Sequence, residues 1–277
     1  MTRAELINEI SSKQSYLCVG LDTDPDKIPV HLRDHKDAVF LFNQEIVEAT
    51  RDHCVAYKIN TAFYESQGKA GWDAMEKTLA IIPKTHFTIA DAKRGDIGNT
   101  SAQYAKTFFE VLPFDAITVA PYMGEDSLRP FLEYQNKWTI VLGLTSNQGS
   151  NDFQQLELSE PSGGGKLYQQ VMKKVASWGN PDNLMFVVGA TSPEGLREIR
   201  DVFPEHFFLV PGVGAQGGSL EAVSAAGLNR DAGLLVNVSR AIQYASSDED
   251  FSIRAGEVAA EYHTTMRQLL ASQTRHR

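Results

Sequence analysis

Eight short apolar segments alternate with stretches of helical periodicity almost from one end of the chain to the other, and little else is compatible with that pattern. The strand-like segments are Tyr16–Leu21, Cys54–Ile59, Phe87–Ala90, Ala116–Val119, Thr139–Leu144, Leu184–Val188, Phe207–Val210 and Leu234–Val238. Between them, apolar residues recur at helical spacing over Val39–Arg51, Gly71–Ile82, Thr100–Val111, Gly165–Trp178, Pro193–Phe203 and Leu220–Ala226. A longer pattern, Ile253–Leu270, reads as a closing helix. Strand–helix alternation of this kind builds a parallel sheet, and eight repeats predict its closure into a (β/α)8 TIM barrel. An open doubly wound sheet competes, but it usually carries a Gly-rich turn after its first strand, and Leu21-Asp22-Thr23-Asp24-Pro25 is not one. The 277 residues fit one barrel of ~250 residues with little left over, so 1–277 is expected to be a single domain.

A formal net charge of −9 argues against a nucleic-acid partner, although local Lys and Arg can still hold a small anion. Cys18 and Cys54 lie in apolar runs, where buried free thiols are the expected state, and no CxxC or HExxH spacing points to a metal. The first residues lack an apolar signal core, and the longest apolar runs are strand length, too short to span a membrane. The expectation is a cytoplasmic protein without a metal site.

Polar residues gather where barrel enzymes place their chemistry, at the C-terminal ends of strands: Asp22, Lys58, Asp91 with Lys93, Thr145-Ser146, Pro211–Gly214 and Asn237–Arg240. In the third strand, period-two alternation puts Asp91 and Lys93 on one face, with Asp96 just beyond. With Lys58 from the neighbouring strand, this gives an alternating set of charges. Burying such a set is costly unless every member is paired, so a catalytic site is favoured over a salt-bridge network that merely closes the barrel end. Arg94 should face the helical layer.

A second group suits an anion. Pro211-Gly212-Val213-Gly214-Ala215-Gln216-Gly217-Gly218 follows the seventh strand and precedes a helix, and Arg240 follows the eighth. Glycines let backbone N–H groups approach phosphate oxygens, and a guanidinium grips them in pairs. Plain turn geometry is the alternative for the glycines alone. The loop Ser146–Gly165 reads as a mobile flap or as surface decoration. His53, His86, His206 and His263 read as surface or capping residues, and Trp72, Trp138 and Trp178 as packing. Tyr122 and Met123 could line a pocket or pack.

Asp91-Ala92-Lys93-Arg94-Gly95-Asp96-Ile97-Gly98-Asn99-Thr100 resembles the signature of the orotidine 5′-phosphate decarboxylase family. The other strand-end segments fall where that family has active-site segments, and Ala62-Phe63-Tyr64-Glu65 is similar to its longer bacterial branch. The resemblance implies loss of CO2 from C6 of orotidine 5′-phosphate to give uridine 5′-phosphate, with no cofactor and no metal. Lys93 would stabilise and protonate the C6 carbanion, Asp91 would keep Lys93 charged and oriented, and Lys58 would brace the network and touch the ribose. Asp22 and Thr100 would bind ribose hydroxyls, Ser146 or Thr145 the pyrimidine edge, and Gln216 and Arg240 the phosphate. In this family Asp96 and Thr100 reach into the partner's site, which implies a homodimer with composite sites. Gln148 stands where the family pattern suggests proline, so the base contact stays open between Thr145 and Ser146. A magnesium-dependent hexulose-phosphate synthase on the same scaffold is the nearest rival, separable by its need for metal. A non-catalytic nucleotide-binding regulator would be expected to lose one of Lys58, Asp91, Lys93 or Asp96, and all four are present.

Overall fold

The computed structural model describes residues 1–190, 192–214 and 217–275. Eight parallel strands close into a barrel in sequence order: β1 (Leu17–Leu21), β2 (Ala56–Asn60), β3 (Phe87–Arg94), β4 (Ala116–Val119), β5 (Trp138–Leu144), β6 (Leu184–Val188), β7 (Phe207–Pro211) and β8 (Leu234–Val238). Every residue of β1, β6 and β8 is buried, as expected of parallel strands covered on both faces. That is why these segments read as continuous apolar runs rather than as alternating ones.

The expected strands all form, and the main difference is at β3, which runs four residues past Ala90. Hydropathy falls at Asp91, but hydrogen bonding does not: Asn60 is still in register with Asp91, and the Ala120 N–H still donates to the Arg94 carbonyl. Helices that were not anticipated include Arg3–Lys13, Thr61–Glu65 and Glu125–Leu132. The stretch expected as one helix over 100–111 is an α-helix, Gly98–Lys106, that widens into a π-turn at Thr107–Val111.

Contacts gather in two units. The first holds residues 3–92 and the chain from 236 onward. In it β1 pairs with both β2 and β8, with Gly20 opposite Lys58 and Cys18 opposite Asn237. Outside these strands lie the helices Ala38–Thr50, Lys69–Ile81 and Phe251–Arg275, and the Phe42 and Phe251 rings stack 5.0 Å apart. Cys18 and Cys54 are buried free thiols, as expected, and burial raises both pKa values, that of Cys54 to about 12.

The second unit is residues 93–235. It holds β4 to β7 in parallel register, with Trp138 fully buried at the start of β5. Arg200 is buried here, its guanidinium donating to the carbonyls of Gly227, Phe203, His206 and Gly233 and lying 3.9 Å from the Phe208 ring. The Ser146–Gly165 loop has structure of its own: helical turns at Ser150–Phe153 and Glu160–Ser162, and an antiparallel bridge between Glu157 and Lys166. Three consecutive glycines, Gly163 to Gly165, turn it with φ of 97°, 62° and 67°.

Candidate active site

Asp22 follows directly on β1, and its backbone is held at every polar atom that faces the protein. Its N–H donates to Gln243 Oε1 at 2.9 Å, and its carbonyl accepts from the Tyr244 hydroxyl at 3.1 Å. The Leu21 carbonyl before it accepts from Tyr64, and the Thr23 hydroxyl after it donates to Asn43 Oδ1 at 2.6 Å. Gln243 Nε2 closes the circuit by donating to Thr23 Oγ1. Asn43, Thr23 and Gln243 are fully buried, and each has its partners, which is the condition under which buried polar groups fix one geometry.

The carboxylate of Asp22 faces Lys58. Lys58 Nζ lies 3.0 Å from Asp22 Oδ1 and 2.9 Å from Asp91 Oδ2. Burial by itself would favour the neutral amine. The Asp22 and Asp91 carboxylates more than reverse this and hold the ammonium's pKa well above the usual lysine value. One cation, from β2, is therefore locked, charged, between a carboxylate that follows β1 and one on β3. Asp91 is 8% exposed, so its charge is compensated by Lys58 rather than by water.

Two residues further along β3 lies Lys93, exposed and with φ of 47°. A left-handed backbone is uncommon for a residue with a side chain, and such outliers collect at functional sites. The expectation that Asp91 and Lys93 share one face assumes extended geometry, and the Lys93 backbone departs from it. Its N–H donates to Thr118 Oγ1 of β4 at 2.9 Å. Arg94 lies with its guanidinium 5.2 Å from the Tyr104 ring and 5.5 Å from Phe108, consistent with the packing role expected of it.

Asp96 is half-buried, and its Oδ1 accepts the Ile97 N–H at 2.7 Å, while its carbonyl accepts from the Ser101 hydroxyl at 2.6 Å. These bonds join the end of β3 to the helix that carries Thr100, which is exposed in the first turn. At the end of β5 the Thr145 hydroxyl is committed locally: it donates to Asn147 Oδ1 and accepts from Gln154 Nε2. Ser146 is backed by Gly189, where an added Cβ would stand 2.8 Å from the Ser146 Cβ.

After β7, Gly212, Gly214 and Gly217 all have positive φ, and Val213 bridges Gly218 before Ser219 caps the helix Leu220–Gly227. Gln216 lies outside the described residues. Arg240 opens the short helix Arg240–Gln243 after β8, with its side chain exposed. Asp22, Lys58 and Asp91 are thus brought together within the first unit, which also carries Arg240. Lys93, Asp96, Thr100 and Ser146 belong to the second.

Tyr122 is 93% exposed, so packing in the core is not its role. The histidines include one close pair, His53 and His263 with Nδ1 atoms 3.4 Å apart, and two buried rings: His86, whose Nε2 donates to the Arg51 carbonyl, and His206, which lies in the interior rather than on the surface as expected. Among the described residues, no group of His, Cys, Asp and Glu is placed to hold a metal ion, and no helix is long and apolar enough to cross a membrane.

Sequence reading missed Gln243, Tyr244, Asn43 and Thr118. Only Asn43 left a trace: it sits on the apolar stripe of its helix between Val39, Phe42, Ile46 and Val47, where a lone amide needs an explanation.

Known proteins bear on this geometry. The family model described as Orotidine 5′-phosphate decarboxylase / HUMPS family matches residues 15–254. An orotidine 5′-phosphate decarboxylase of Phocaeicola vulgatus is 53% identical over 273 residues, covering 98% of this chain and 99% of that one. One from Bacteroides fragilis is 54% identical over 273 residues, covering 98% of each. The solved structure of Leishmania donovani OMP decarboxylase superposes with a TM-score of 0.80 at 37% identity, covering 96% of this chain and 99% of that one.

Proposed function

The chain belongs to the orotidine 5′-phosphate decarboxylase / HUMPS family, and from that premise we propose that it is the decarboxylase of pyrimidine biosynthesis, with Lys93 as its proton donor. The reaction breaks the bond between C6 of orotidine 5′-phosphate and its carboxylate. CO2 departs, the electron pair stays on C6, and a proton then replaces it to give uridine 5′-phosphate. The pyrimidine ring spreads that charge poorly, so a cation fixed beside C6 contributes most where charge is greatest, in the transition state. Lys93 supplies the cation. It gives its proton to C6 and regains one from solvent after product leaves.

The observation that carries this reading is the buried Asp22–Lys58–Asp91 chain, which leads along β3 to Lys93 two residues on. Three buried or half-buried charges in series cost more to desolvate than a core needs, and their value lies in preorganisation. Asp91 keeps Lys93 protonated and aimed, and Lys58 fixes Asp91 and Asp22. Asp22 and Thr100 take the ribose hydroxyls. Ser146 takes the base edge, with Thr145 beside it as the alternative.

The glycine loop after β7 with Gln216, and the Arg240 fork, take the phosphate, whose binding energy is available to assemble the charged site. Residues 1–277 act as one barrel domain in a homodimer, Asp96 and Thr100 completing the partner's site.

The test is the absorbance change on adding orotidine 5′-phosphate to EDTA-treated protein, with Lys93→Ala alongside. Substrate loss by the wild type alone, with uridine 5′-phosphate as product, is expected. Turnover that needs restored Mg2+, or a Lys93→Ala variant near wild-type rate, would overturn the reading.

A further inference from the structure

We infer that Thr118 is a positioning residue for Lys93: its hydroxyl accepts the Lys93 N–H and so holds the lysine in its left-handed backbone conformation. The ladder between neighbouring parallel strands normally satisfies each inward N–H with a backbone carbonyl. At Lys93 a side-chain oxygen accepts, Thr118 Oγ1 at 2.9 Å, and the chain departs from extended geometry at that same residue, with φ of 47°. One residue later, the Arg94 carbonyl accepts from the Ala120 N–H at 2.8 Å.

Thr118 is fully buried in β4, and its side-chain torsion is restricted by the branch at Cβ, so its oxygen is a fixed point. Gly95 keeps the same neighbourhood tight: a Cβ there would stand 3.1 Å from the Ala120 carbonyl.

The consequence for chemistry follows from geometry. A lysine ammonium ends a long, flexible stem, and the direction of that stem is decided at Cα. Turning the backbone from the left-handed to the extended region swings Cβ away and displaces everything beyond it. Misplacement of a reacting group by ~1 Å is enough to cost roughly a hundredfold in rate. The kinetic part of this inference rests on the function proposed above, and the conformational part does not.

Two variants test it. Thr118→Val keeps the shape and removes the acceptor, whereas Thr118→Ser keeps the acceptor. Thr118→Val should lower kcat roughly a hundredfold with KM changed less than about threefold, and Thr118→Ser should recover most of kcat. Hydrogen exchange of the Lys93 amide, followed by NMR, reads the contact without any turnover. It should speed up at least roughly tenfold in Thr118→Val and stay near wild type in Thr118→Ser.

Equal exchange in all three proteins would overturn the inference, as would a Thr118→Ser variant as slow as Thr118→Val. Loss of wild-type turnover together with the expected exchange pattern would sink the proposed reaction and leave the Thr118–Lys93 coupling intact.

Discussion

Lys58 Nζ lies 2.9 Å from Asp91 Oδ2, with the two side chains only 5% and 9% exposed. An ion pair this deep is a poor source of stability, because each charge gives up its water to form it. Breaking it from one side is worse. Lys58→Ala should destabilise the fold by roughly 3–5 kcal/mol, since it takes from the Asp22 and Asp91 carboxylates the buried ammonium they share. Removing both charges, in Lys58→Met with Asp91→Leu, should regain part of that stability and none of the turnover. Urea titration paired with an activity assay checks both halves, and recovery of turnover by the double variant would contradict the role given to the pair.

Gln243 gives a second handle on the same end of the barrel. Its amide satisfies the Asp22 N–H on one side and the Thr23 hydroxyl on the other. Gln243→Leu leaves both buried groups short of a partner, at about 1–3 kcal/mol each. Because Asp22 is expected to bind ribose, KM should rise roughly tenfold while kcat falls less, a split that steady-state kinetics resolves.

Arg200 is a purely structural prediction. Four carbonyls share its guanidinium, a geometry that the single ammonium of lysine cannot reproduce. Arg200→Lys should cost about 3 kcal/mol in unfolding free energy and leave kcat of the folded protein unchanged. A variant as stable as wild type would show that these bonds are redundant.

Acid should weaken the fold through His86. Burial, followed by the nearby Lys13 ammonium, lowers the pKa of this ring below its ordinary 6.5, and its Nε2 proton is already committed to the Arg51 carbonyl. The unfolded chain takes up a proton as pH falls through 6.5, before the folded ring does. Stability is therefore complete above that value and is lost as pH drops through the lowered folded pKa. His53, lowered by burial and then by His263, adds to the same trend. Denaturation midpoints measured from pH 7.5 down to pH 5 should fall, and His86→Gln should flatten the curve.

The barrel was legible because its information is local and repeated. Each strand is a buried apolar run, each helix an amphipathic one, and eight repetitions leave a single economical closure. Asp91, Lys93 and Lys58 stood out for the opposite reason: charges placed where the pattern demands apolar residues. What stayed hidden is long-range and polar. Gln243 meets Asp22 across 221 residues, and an isolated glutamine in a short helical turn looks like any surface residue. Arg200 sits in a strongly amphipathic helix where an arginine suggests solvent, yet it is 7% exposed. Nor does anything in Asp91-Ala92-Lys93 announce that the lysine alone leaves the extended region, because that outcome depends on the hydroxyl of Thr118 in the next strand.

The pairing of β1 with β8 has a bearing on how such a chain comes to work at all. Asp22 is made early and Arg240 late, yet the backbone of the first is pinned by Gln243 of the helix that the second begins, and Gly20 has no side chain because the Ser239 hydroxyl occupies that space. A growing chain on the ribosome therefore carries Asp22 for more than two hundred residues before the part that pins its backbone exists. The seam closes only after residue 243 has been made, and a chain cut short before residue 240 would carry Lys58, Asp91 and Lys93 without the part that fixes Asp22.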